Sequence, residues 1–200
     1  MKGSLIIICF FILGSCCGYF QLLPAFVTQG NLSYYALCAL MFSVGISIGN
    51  NPQTLRNFRS LNPRLIFLPV MTILGTLAGS AVVSFLLPHR SLTDCLAVGS
   101  GFGYYSLSSI FITEYKGAEL GTVALLANIS REIVTLLAAP LLVRWFGNLA
   151  PISAGGATTM DTTLPIITQT AGQQFVIVSI FHGFVVDFSV PFLVTLFCSL

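Results

Sequence analysis

The sequence predicts an all-α protein: a polytopic transmembrane helical bundle forming a single transmembrane domain over residues 1–200, with about seven apolar segments, two of them interrupted or re-entrant. Three observations carry this. The chain is 56% hydrophobic and 7% charged, where a soluble domain carries ~25% charged residues, and its mean hydropathy is +0.94. Its apolar runs approach or exceed the ~20 residues that span a bilayer. Two of those runs are punctuated by glycine, proline and hydroxyl residues, the pattern of helices that break inside a transporter.

The first segment runs from Met1 to Val27. Lys2, an apolar stretch and Leu13-Gly14-Ser15-Cys16 resemble a lipoprotein signal, but apolar character continues past Cys16 to Phe26-Val27. That is too long for a cleaved signal, so a retained helix is expected. Pro24 bends its end, and Gln29-Gly30-Asn31 turns the chain into a second segment, about Leu32 to Ile48. The loop Asn50 to Arg64 holds Arg56, Arg59 and Arg64 and no acid. The positive-inside rule makes it cytoplasmic, and Lys2, two crossings away, falls on the same side. The N-terminus is therefore expected in the cytoplasm and the C-terminus outside.

The third segment, about Leu65 to Leu87, carries Gly75, Gly79 and Ser80 at a spacing that suits close helix packing, and Pro88-His89-Arg90 ends it outside. The fourth, about Leu92 to Ile112, contains Gly99-Ser100-Gly101-Phe102-Gly103. Each glycine weakens a helix by ~1 kcal/mol, so a discontinuous helix with freed backbone groups is expected. Glu114, Lys116 and Glu119 read as a short solvated loop. The fifth segment, Leu120 to Phe146, includes Pro140, which can kink it, and Arg144, which snorkels. The sixth region, Ser153 to Pro165, sets Asp161 among four threonines bracketed by Gly155-Gly156 and Pro165, a second interrupted segment. The last, about Phe175 to Leu200, holds His182 and Asp187. Seven segments all cross, or five do if the fourth and sixth are re-entrant. The ends are the same either way, and length favours crossing.

The chemistry centres on Asn128-Ile129-Ser130-Arg131-Glu132 in the fifth segment. A charge at a helix centre costs ~2.5–3.5 kcal/mol on insertion scales, so it is normally paired, hydrated or used. Asn128 and Glu132 are four apart and share a face, while Arg131 is turned ~100° from Glu132 toward another helix. Glu132 and Asp161 are the expected substrate- and proton-coupling pair. A carboxylate in a partly dry site beside a like charge can exchange a proton at physiological pH. Competition of proton and cation for one carboxylate is the simplest basis for proton antiport, with the proton gradient as energy source and no cofactor. Asn128, Ser106 and Thr162 are candidate neutral ligands. His182 is a hydrogen-bonding or proton-carrying candidate, and Asp187 stays outside the core site. No metal is expected, since none of the six cysteines forms a Cys-x-x-Cys pair or lies beside histidine at ligand spacing. No basic run suggests nucleic acid. An intramembrane protease would want Gly-x-Gly-Asp or Gly-x-Ser-Gly, which are absent, so no enzyme is expected. A non-transporting or regulatory membrane subunit is the other alternative.

Gly101-Phe102-Gly103-Tyr104-Tyr105-Ser106-Leu107-Ser108, Asn128 through Glu132, Gly156 through Pro165 and His182-Gly183-Phe184 together resemble the lysine exporter LysO family over nearly the whole chain. The resemblance implies export of L-lysine, and of its toxic analogue thialysine, across the bacterial inner membrane. It also implies two important intramembrane acids, falling by motif position on Glu132 and Asp161. Lysine or a related basic amino acid as substrate comes from the resemblance alone. Full-length members carry about three further helices before the matched part, so a small membrane protein supplying them is the expected partner.

Overall fold

In a computed structural model the described residues are 63–200, with 13–14, 16–20 and 46 besides. The chain divides into two units, Met1–Leu55 and Arg56–Leu200. The first two expected segments and the arginine-rich loop lie outside the described residues, apart from a helical stretch around Cys16–Tyr19. In the second unit the described residues form helices joined by short turns and breaks.

Helix α1 (Pro63–Leu86) leads through Ser91 into α2 (Leu92–Gly99). Ser91 and Asp94 form a reciprocal capping box: the Asp94 N–H donates to Ser91 Oγ at 3.0 Å and the Ser91 N–H to the Asp94 carboxylate at 3.4 Å. Helix α2 stops at the glycines as expected, and α3 (Tyr105–Lys116) resumes after a break in which Phe102 and Gly103 take positive φ of 45° and 94°. Gly117 alone separates α3 from the 29-residue α4 (Ala118–Phe146). The expected loop from Glu114 to Glu119 is instead the last turn of α3 and the first turn of α4. The second interrupted segment is α5 (Ala150–Gly155), a 3₁₀ turn (Gly156–Met160) and α6 (Leu164–Ala171). A 3₁₀ turn at Gln173–Phe175 precedes α7 (Val176–Ser199).

Among the described residues three helices are long and apolar enough to cross a membrane: Leu65–Leu86, Ala118–Phe146 and Gln173–Ser199. Each interrupted segment folds at its break and leaves the bundle at the end where it entered. Arg90, before α2, pairs with Glu119 at the start of α4, and Lys116 at the end of α3 lies 3.9 Å from Asp94 at the start of α2. Helices of 8 and 12 residues reach ~12 and ~18 Å, about halfway through a ~30 Å hydrocarbon core. At the opposite end Leu149 and Ile152 share one apolar cluster with Ile166, Ile167, Ala171 and Phe175, together with Leu65 and Val143. A run folded at its break goes halfway and returns, the re-entrant form of the two that the sequence allows.

Helix α7 starts in the Leu65 cluster and ends with Cys198 in the field of Lys116 and Asp94. Its phenylalanines Phe184, Phe188 and Phe192 form an exposed ridge, while Val186, Val190 and Val194 are fully buried. The buried valines pack with Phe102 and Ala157, the tips of the two hairpins.

Candidate functional site

The two hairpin tips meet in mid-bundle. The Ala157 N–H donates to the Phe102 carbonyl at 2.9 Å. Gly156 permits this approach: its φ is +64°, and a Cβ there would lie 2.2 Å from the Phe102 oxygen. Breaking a helix frees backbone donors and acceptors that a continuous helix would consume, and here both breaks face the middle of α4.

One stripe of α4 is buried, through Leu120, Ala124, Asn128, Glu132, Thr135 and Ala139. The expected common face of Asn128 and Glu132 is part of it. The Asn128 amide is fully engaged: Oδ1 accepts from the Gly103 N–H at 2.7 Å, and Nδ2 donates to the Ala124 and Val98 carbonyls at 2.9 and 3.2 Å. Asn128 thus braces the first break. Arg131 turns away from Glu132, as expected from the helical offset. Its Nε donates to Ala154 O at 2.8 Å, and its terminal nitrogens donate to Ser153 O at 3.0 Å and Thr76 Oγ1 at 3.2 Å. The guanidinium sits 6.0 Å from the Phe102 ring centroid. A cation on the C-terminal carbonyls of α5 is in a favourable field. It also ties both hairpins and α1 to α4.

Glu132 is 6% exposed and lies against the Thr162 hydroxyl within the field of Asp161. Asp161 follows the 3₁₀ turn, and one oxygen accepts from the Thr162 N–H and, at 3.3 Å, from its hydroxyl. The structure therefore brings Glu132, Asp161 and Thr162 together. Ser106 lies half-buried in the first turn of α3. His182 serves another junction: fully buried, it places Nδ1 3.2 Å from Thr159 Oγ1 and Nε2 2.9 Å from Thr72 Oγ1, linking α7 to the second break and to α1.

Two residues outside the expected set join the carboxylates. Tyr105, first residue of α3, lies in the field of both Glu132 and Asp161. Asp187 lies in the field of Asp161, and its Oδ1 is buried with no hydrogen-bond partner among the described residues. Tyr105 had a signal in its position directly after the break. Asp187 had one in its spacing of one helical turn from Gly183, which packs on Met160. Tyr105 and Thr162 are both exposed and open the cluster to its surroundings. On the other flank of α4 a cavity of about 750 Å³ runs from Arg90 and Asp94 to Asn128 and Arg131. Among the described residues no group of His, Cys, Asp and Glu is placed to hold a metal ion.

The family model described as "Lysine exporter LysO" matches residues 8–198. A protein of Escherichia coli (strain K12) named "Lysine exporter LysO" is 37% identical over 167 residues, which are 84% of this chain and 55% of that protein. A "Putative lysine exporter" of Haemophilus influenzae is 36% identical over 165 residues, covering 82% of this chain and 83% of the relative. The chain thus spans a little over half the length of the Escherichia coli relative. No solved structure gives a significant match.

Proposed function

The chain belongs to the lysine exporter LysO family, and from that premise we propose that it carries the translocation site of an L-lysine exporter of the bacterial inner membrane, accepting thialysine and exchanging substrate for protons. The observation that carries the reading is the meeting of two hairpins from opposite ends, Ala157 N–H on Phe102 O, beside the buried Glu132. Glu132 and Asp161 are the acids that hold either a proton or the substrate's ammonium group, and the Thr162 hydroxyl between them serves whichever is charged. An empty, deprotonated site leaves two carboxylates unanswered in a dry region, which costs several kcal/mol. Only the protonated and the loaded forms are therefore cheap enough to change orientation, and that restriction couples the two fluxes. The hairpins give each side of the membrane its own half of the wall around the carboxylates.

Orientation follows from charge. Arg64 at the start of α1 and Arg144 in the last turn of α4 belong to the end marked by the Leu65–Val143 cluster. Among the described residues the other end carries only Arg90 and Lys116, whereas Arg56 and Arg59 stand just ahead of Arg64 in the sequence and add to the first end's count. The positive-inside rule assigns the first end to the cytoplasm.

The test is thialysine resistance and lysine efflux in a host without its own lysine exporter. The chain is expressed alone and together with the part of the Escherichia coli relative outside the match, as wild type, Glu132→Gln and Asp161→Asn. Rescue that both substitutions abolish is expected. No rescue from any form, with the proteins shown to be in the membrane, refutes lysine export.

A further inference from the structure

We propose that Arg131 is a tethered counter-cation: its guanidinium fills a socket of neutral oxygens that would otherwise take an alkali metal ion, so that lysine is exported without sodium. The consequence for transport rests on the export reading above; the socket itself does not.

Arg131 has an unusual set of partners for an arginine inside a membrane bundle. A guanidinium at such depth is ordinarily matched to a carboxylate, whose geometry its fork fits. Arg131 has none. The chain holds six acidic residues, and all six fall within residues 94–187, which the structure describes. Their ion pairs are Arg90 with Glu119 and Lys116 with Asp94. Arg131 donates instead to two carbonyls, Ala154 O at 2.8 Å and Ser153 O at 3.0 Å, and to the Thr76 hydroxyl at 3.2 Å. Ser153 and Ala154 stand in the last turn of α5, where the carbonyls lack intrahelical donors and the helix end is negative. Freed carbonyls at the C-terminal end of a broken helix are the groups with which transporters coordinate sodium near the midplane. Here a side chain takes that position, and Gly156 leaves room for it: a Cβ there would lie 3.3 Å from Arg131 Nη2.

The socket is also reachable. Thr76 and Arg131 line the inner end of the cavity that begins at Arg90 and Asp94, so removing the guanidinium opens its oxygens to ions and water from that end. A fixed cation and a mobile one differ in their effect on transport. The mobile ion binds and leaves, so its concentration biases the orientation of the carrier. The tethered one answers the same carbonyls at every stage and carries no flux.

The experiment melts the purified chain in detergent, in sodium chloride and in choline chloride of equal ionic strength. Wild type is expected to melt alike in the two salts. Arg131→Ala is expected to melt below wild type in choline and to recover ~3 °C or more in sodium. A sodium-specific rise as large in wild type as in the variant, or an Arg131→Ala that melts alike in both salts, overturns the proposal. If Arg131→Ala does not fold, Arg131→Gln, shorter but still carrying a donor for one carbonyl, decides by the same comparison. Lysine efflux from cells carrying the wild type is expected to be equal in sodium and choline media. Efflux that requires sodium overturns this proposal and leaves lysine export standing. Sodium binding by the variant of a chain that exports no lysine refutes the export reading and leaves the socket standing.

Discussion

Replacing Gly156 with alanine tests the junction on which the site is built. Gly156 has φ +64° and ψ −127°, a conformation reserved for glycine, and a non-glycine residue there costs ~1–3 kcal/mol in backbone strain. The added Cβ would lie 2.2 Å from the Phe102 carbonyl oxygen, far inside van der Waals contact, and that oxygen belongs to the opposite hairpin and is backbone, so it cannot swing aside. Relief requires the tips to separate. Separation breaks the Ala157–Phe102 hydrogen bond and strands a buried donor and acceptor, for ~1–3 kcal/mol more. The expected loss is ~2–6 kcal/mol, concentrated at the site. Gly147→Ala is the control: φ is +87° and ψ 175°, but nothing lies within 4 Å of the new Cβ, leaving strain alone, ~1–3 kcal/mol. The assay is thermal melting of the detergent-solubilised chain beside thialysine resistance in cells. Gly156→Ala is expected to melt lower than Gly147→Ala and to lose resistance while Gly147→Ala keeps it. Equal behaviour of the two, or wild-type resistance in Gly156→Ala, refutes the inference that contact of the tips is required.

Arg131→Lys keeps the charge but not the fork that reaches Ala154 O, Ser153 O and Thr76 together; it is expected to lose ~1–3 kcal/mol of stability and most lysine efflux, and a wild-type melting curve contradicts this. His182→Gln retains a donor and an acceptor for Thr159 and Thr72 and is expected to export lysine nearly as wild type. His182→Leu strands both hydroxyls at ~1–3 kcal/mol, whereas a proton-carrying role for His182 demands that the Gln variant fail as well. Single cysteines at Arg90 and Lys116, in a background cleared of other cysteines, are expected to react with an impermeant thiol reagent from one side of the membrane, and cysteines at Leu149 and Gln174 from the other; labelling of Arg90 and Lys116 from opposite sides contradicts the re-entrant first hairpin.

Much of this architecture was legible in local pattern. The breaks at Gly99–Gly103 and Gly155–Pro165 could be placed because a glycine's cost to a helix, or a proline's, is felt where it stands. The common face of Asn128 and Glu132, and the turning of Arg131 away from it, follow from helical periodicity alone. The carboxylates were legible because a charge inside an apolar run is rarely idle. Whether the interrupted segments cross was not legible from length, since twenty apolar residues reach across once or halfway and back. Counting Lys and Arg did not settle it either, because the two topologies merely exchange Lys116 for Arg144.

By itself, then, the sequence determined the membrane class, the positions of the breaks and the pairing of Glu132 with Asp161 as candidates, all properties of composition or of neighbours within a few residues. The tertiary structure alone decided that the segments re-enter, through contacts such as Lys116 with Asp94, that Arg131 rests on the carbonyls of α5, and that Tyr105 and Asp187 join the carboxylates. Each of those links residues about twenty or more positions apart. Such contacts depend on how the helices pack against one another, and no local periodicity encodes that.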